Sequence, residues 1–85
     1  MNGQCYQIEH GPSALVDLDG LPARERTQVL RKIERLEYGL HGNIKRLHGG
    51  ETAYRLRMGD YRILFDVVES VIVIRRTGNR KDVYD

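Results

Sequence analysis

Cysteine is nearly absent from this 85-residue chain, where Cys5 stands alone. One thiol excludes an internal disulfide and half of a thiolate metal pair. Cys5 falls in the first apolar run, Gln4 to Glu9, which points to a packed thiol rather than a reactive one. Histidine is also scarce. His10, His41 and His48 show no i, i+4 spacing and have no cysteine cluster beside them, so no metal site and no cofactor are expected. No apolar run approaches the ~20 residues of a membrane helix. The N-terminus lacks the basic-then-apolar order of a signal peptide, which makes the cytoplasm the expected location and a membrane partner unexpected. Repeats, low-complexity tracts and linkers are missing too, and 85 residues suffice for a single domain spanning 1–85 with one core.

Charge of one sign is lacking overall, since the net is only +2. Its placement is uneven. Residues 1–41 carry five Lys/Arg against six Asp/Glu, a net of −1, and residues 42–85 carry nine against six, a net of +3. The positive field therefore lies on the second half and favours an anionic partner there.

That half reads as strands. In Tyr54 to Met58, Arg55 and Arg57 alternate with Tyr54, Leu56 and Met58. Gly59-Asp60 suits a type II′ turn, with glycine first. Tyr61 to Val68 puts Tyr61, Ile63, Phe65 and Val67 on one face and Arg62, Leu64 and Asp66 on the other. Glu69-Ser70 reverses the chain. Val71 to Thr77 opens with four β-branched residues, as a central strand does, and Gly78-Asn79 breaks the pattern. The meander thus carries Arg55, Arg57 and Arg62 outward, with Arg75, Arg76, Arg80, Lys81 and Tyr84 at its end. Arginines along a sheet face with an aromatic nearby suit a phosphate backbone and a stacked base; a solvated strand face is the plainer reading.

The first half reads as support. Gln4 to Glu9 alternates weakly and predicts a first strand. Ser13 to Leu18 predicts a short helix after Pro12, with Leu15 and Leu18 on one side. A longer helix begins at Leu21-Pro22. There Val29, Ile33, Leu36 and Leu40 form an apolar stripe with Leu30 beside it, and Gly39 and Gly42 can stop the helix. His41 to Thr52 reads as a connecting loop anchored by Leu47, with Lys45, Arg46, His48 and Glu51 available to rim a site. Two amphipathic helices beside an antiparallel sheet can bury one core and leave the other sheet face to the arginines.

Three runs carry a family resemblance: Tyr54-Arg55-Leu56-Arg57, Gly59-Asp60-Tyr61-Arg62-Ile63-Leu64-Phe65 and Gly78-Asn79-Arg80-Lys81-Asp82-Val83-Tyr84. With the Leu21-Pro22 helix start and Leu47 before Gly49-Gly50, the chain resembles the RelE/ParE superfamily of toxins from type II toxin–antitoxin pairs, and its Arg-Lys-Asp-Val-Tyr end is closer to the RelE branch. The resemblance implies an α+β fold of β-α-α-β-β-β order, a twisted antiparallel sheet with two helices on one face. It implies a ribosome-dependent mRNA endoribonuclease that inhibits translation and arrests growth. Its expected partners are a cognate antitoxin, the ribosome and mRNA. Two alternatives stay open: a ParE-like inhibitor of DNA gyrase, and an inactive relative that only binds antitoxin.

By motif position, Arg57, Arg62, Arg80 and Tyr84 match catalytic positions. Arg55, Lys45, Arg46 and Lys81 are RNA-binding candidates, and His48 or Glu51 could supply an acid or base. Arg55 and Arg57 stand where well-known RelE proteins carry lysines. Arginine stays charged, so both suit a phosphate clamp and not a general base.

Overall fold

A computed structural model of the chain describes residues 5–49 and 52–83. The elements are β1 (Gln7–His10), α1 (Pro12–Asp19), α2 (Ala23–Glu34), a 3₁₀ turn (Arg35–Tyr38), β2 (Asn43–Arg46), β3 (Tyr54–Met58), β4 (Tyr61–Val68) and β5 (Val71–Asn79). The strands form one sheet in the order β1-β5-β4-β3-β2. The α+β class holds, as does the order of a first strand, two helices and a meander. The sheet differs in two respects: it is mixed, because β1 runs parallel to β5, and it has a fifth strand, β2, antiparallel to β3. β2 lies in the segment that reads as a loop. Asn43-Ile44-Lys45-Arg46 offers one apolar side chain, too little for an alternation signal, and its stability comes from ladder bonds and Ile44 opposite Leu56.

One sheet face carries Leu56, Ile63, Phe65, Ile72 and Ile74, all fully buried. Ala14 and Leu18 of α1, Val29 and Ile33 of α2, and Leu36 close over them in a single cluster. Both helices therefore lie on that face, and each fully buried Leu or Ile contributes roughly 1.5–3 kcal/mol of transfer free energy. Arg26 locks the helices together. Its guanidinium donates to the carbonyls of Leu18 and Leu21, both at 2.9 Å. These oxygens lie in the last turn of α1 and just beyond it, where carbonyls run short of intrahelical partners; that of Leu18 also accepts the Leu21 amide at 3.1 Å.

Four expectations change in detail. The α1 core face is Ala14 and Leu18, at i and i+4, and Leu15 is 54% exposed. Leu40 leaves the stripe because the helix has tightened into the 3₁₀ turn and Gly39, at φ +137°, has redirected the chain. Cys5 is exposed, since it lies two places before Gln7, where pairing with β5 begins. Gly78-Asn79 does not end β5: Arg62 pairs with Gly78 and Tyr61 with Asn79.

Candidate functional site

Cross-strand partners share a sheet face, so the register fixes which side chains meet. On the face away from the helices, one row runs Asn43, Arg57, Arg62, Gly78 across β2 to β5. The next row runs Lys45, Arg55, Leu64, Arg76. Neighbouring strands lie ~4.8 Å apart, so Arg57 and Arg62 emerge side by side. Asn43 joins them from the strand that alternation could not reveal.

The β3–β4 turn brings the next cation. Gly59 has φ +59° and Asp60 has negative φ, the type II′ pattern. The Asp60 carbonyl accepts the Arg80 amide at 2.8 Å, extending the β4–β5 ladder by one residue. Asn79 then folds the chain back. Its side-chain Oδ1 accepts from the Lys81 amide, and its carbonyl accepts from the Asp82 and Val83 amides. Val83 is buried and lies over Gly78, where an added Cβ would stand 2.9 Å from Val83 Cγ2. The return segment therefore rests on the arginine face, with Arg80 and Lys81 exposed at its edge. Arg57 is exposed and Arg55 half-buried. Arg62 is only 8% exposed, and its Nη1 donates to the Gly59 carbonyl at 2.8 Å and the Tyr61 carbonyl at 3.0 Å.

Other candidates stand apart. Arg46 pairs with Tyr54 on the helix side, where its guanidinium lies 5.8 Å over the Tyr54 ring, and that ring stacks on Phe65 at 5.4 Å. This placement explains Arg46 by packing. His48 is exposed beyond the Leu47–Ala53 bond that closes the opposite end of the β2–β3 hairpin. Four residues of strand, roughly 14 Å at ~3.4 Å each, separate that bond from Arg57. Glu51 and Tyr84 lie outside the described residues.

Arg75 and Arg76 are engaged within the fold. Phe65 pairs with Ile74 and Leu64 with Arg76, so Arg75 is the extra residue of a β-bulge. Arg75 Nε meets Asp66 Oδ2 at 2.9 Å, while Asp66 Oδ1 accepts the Ala53 amide at 2.7 Å. Arg76 Nε meets Asp17 Oδ2 of α1 at 2.7 Å. Hydrogen bonding to Asp17, then its charge, raises the Arg76 pKa above its ordinary value and holds it cationic. Both side chains stay about half-exposed, at 48% and 45%, so each arginine is partly neutralised by its acid rather than removed from solvent. Among the described residues, Arg57, Arg80, Lys81 and Lys45 make no ion pair. A cationic patch with Arg57 and Arg80 at its centre suits an extended polyanion, which the guanidinium fork grips bidentately. No group of three or more His, Cys, Asp or Glu among the described residues could hold a metal ion.

No family model matches the chain. Toxin RelE3 of Methanocaldococcus jannaschii is 34% identical over 74 residues, covering 81% of this chain and 84% of that one. Among solved structures, a RelB–RelE antitoxin–toxin complex from Methanococcus jannaschii aligns at 30% identity with a TM-score of 0.73, covering 91% of this chain and 95% of the matched one. The toxin–antitoxin complex RelBE2 of Mycobacterium tuberculosis aligns at 27% identity with a TM-score of 0.78, covering 89% and 99%.

Proposed function

This chain belongs to the RelE toxin family, and from that membership and the arginine-lined hairpin we propose that it cleaves messenger RNA on the ribosome. It is a toxin of the RelBE type. Its partner is an antitoxin protein, since the matched structures are toxin–antitoxin complexes. An acidic surface on that partner would complement the patch around Arg57.

The reaction is a transesterification. The ribose 2′-oxygen attacks the adjacent phosphorus, the bond to the 5′-oxygen breaks, and the products are a 2′,3′-cyclic phosphate and a 5′-hydroxyl. The pentavalent state gathers negative charge on the non-bridging oxygens. Arg57 and Arg80, fixed cations with fork-shaped donors, stabilise it and hold the strand in line. Arg55, Lys45 and Lys81 bind flanking phosphates. Arginine does not surrender a proton at neutral pH, so these residues act by charge and position. One observation supports the reading above others: the register and the Asp60–Arg80 bond gather the family-matched arginines at one end of one hairpin.

Expression of the chain in cells, with primer extension on endogenous messages, tests this reading. Growth arrest with new message ends is expected, and Arg57→Ala or Arg80→Ala should relieve both. Arrest with intact messages and inhibited gyrase supercoiling would overturn it.

A further inference from the structure

Strict alternation along β5 would send Arg75 and Arg76 to opposite faces of the sheet. The bulge prevents that. Arg76 pairs with Leu64 on the face away from the helices, and Arg75, the extra residue, reaches Asp66 on that same face. Bulges often re-aim a side chain beside a working site. This one sets two successive arginines on the face that carries Arg57. They line one cleft of about 400 Å³ with Ser13, Thr52 and Asp66.

The acids do not cancel these cations. In each pair the arginine is the outer member, 48% exposed against 19% for Asp66 and 45% against 17% for Asp17. Each carboxylate also accepts a backbone amide, that of Ala53 at 2.7 Å and that of Thr77 at 3.0 Å, so part of its charge is met within the fold. The guanidinium groups are only partly used. Asp66 takes Nε of Arg75, and Asp17 takes Nε of Arg76 with a long contact to Nη2 at 3.4 Å. Both Nη atoms of Arg75 and Nη1 of Arg76 have no partner among the described residues. Each acid therefore holds its guanidinium by one edge and leaves donors free in the fork geometry that phosphate oxygens match.

We propose that Arg75 and Arg76 form a second phosphate subsite, which grips the RNA strand away from the phosphate that is cut. The proposal rests on the RNA-cleaving reading. Arg57 shares a row with Arg62 and Gly78, and Arg76 stands in the next row on β5. Two residues along and two strands across make roughly 12 Å, at ~3.4 Å per residue and ~4.8 Å per strand. A single-strand site of ~4 nucleotides covers that distance. The subsite takes no part in bond breaking. It holds the strand so that the scissile phosphate stays against Arg57 and Arg80.

The test compares two RNAs that carry 2′-deoxyribose at the central, uncut position: a trinucleotide and a strand of about nine nucleotides. Wild-type protein should bind the longer one more tightly. Arg75→Gln with Arg76→Gln should weaken the longer RNA at least fivefold and leave the trinucleotide within about twofold. The log–log salt dependence for the longer RNA should flatten by about 0.7 for each phosphate given up. Arg31→Gln with Arg35→Gln removes the same charge from exposed positions on the helical side and should leave both RNAs within about twofold. Three results overturn the subsite: equal binding of the two RNAs by wild type, equal weakening of both by the Arg75 and Arg76 changes, or no weakening at all. If that variant does not fold, the Nε signals of Arg75 and Arg76 in the wild-type NMR spectrum decide. They should move with the longer RNA and not with the trinucleotide, and signals that ignore both RNAs overturn the proposal. Messages that are cut while the variant binds the longer RNA like wild type leave the RNA-cleaving reading standing without the subsite. Length-dependent binding through Arg75 and Arg76 with every message whole leaves the subsite standing and removes the cleavage.

Discussion

Gly78 is the position at which one added carbon disturbs the patch most. Its missing Cβ is the space that Val83 fills. Gly78→Ala should cost about 1–3 kcal/mol by overpacking and lower cleavage by lifting the segment that carries Arg80 and Lys81. Combining it with Val83→Ala should cost less than the sum of the two single changes, because the contact is shared; urea melts of the four proteins measure this coupling. Glu69 presents the opposite case. It holds φ +56° in the β4–β5 turn, a conformation that suits glycine. Glu69→Gly should stabilise the fold by about 0.5–1 kcal/mol, visible as a higher Tm, with cleavage unchanged because the turn lies at the far end of β4. Alternation along β3 and β4 made the facing of Arg55, Arg57 and Arg62 legible from the residues alone. The engagement of Arg62 with the turn was not legible, since a side chain folding back on its own hairpin leaves no mark in the pattern.

Among the elements, α1 matters most to the end of the sheet. β1 pairs with β5 only as far as Ile74, so the edge of β5 beyond it is bare. Asp17 of α1 takes over, its Oδ2 accepting the Thr77 amide at 3.0 Å and Arg76 Nε at 2.7 Å. The Arg76 pair is half-exposed and contributes little, so the bond to the Thr77 amide dominates. Asp17→Ala should destabilise by about 1–3 kcal/mol through the lost acceptor, and Asp17→Asn, which keeps an acceptor oxygen, by less. Equal losses in denaturant titrations would show that charge, not the backbone bond, is what counts. Sequence reading reached the helices and the three central strands because each carries several apolar residues in period. It missed β2, where Ile44 is the single apolar residue, and the bulge at Arg75. That bulge, together with Asp66 and Asp17, pairs Arg75 and Arg76 with acids of the fold.

At the scale of the whole molecule, two helices cover one face of the sheet and leave the other to cations. Residue counts already located the positive half, and the motifs pointed to the RelE branch. Composition could not say which cations stay available, because that depends on pairings such as Asp17 with Arg76, 59 residues apart. Arg57 and Arg80 remain outward-facing and unpaired by acids among the described residues, and the proposed chemistry depends on them. The most direct test is single-turnover cleavage of a defined message on programmed ribosomes with the purified chain. The expected result is a 2′,3′-cyclic phosphate on the upstream fragment and a 5′-hydroxyl on the downstream one, with the rate reduced about 10²–10³-fold in Arg57→Ala and in Arg80→Ala. A message that stays whole with the wild-type chain, or is cut equally fast by both variants, would contradict it.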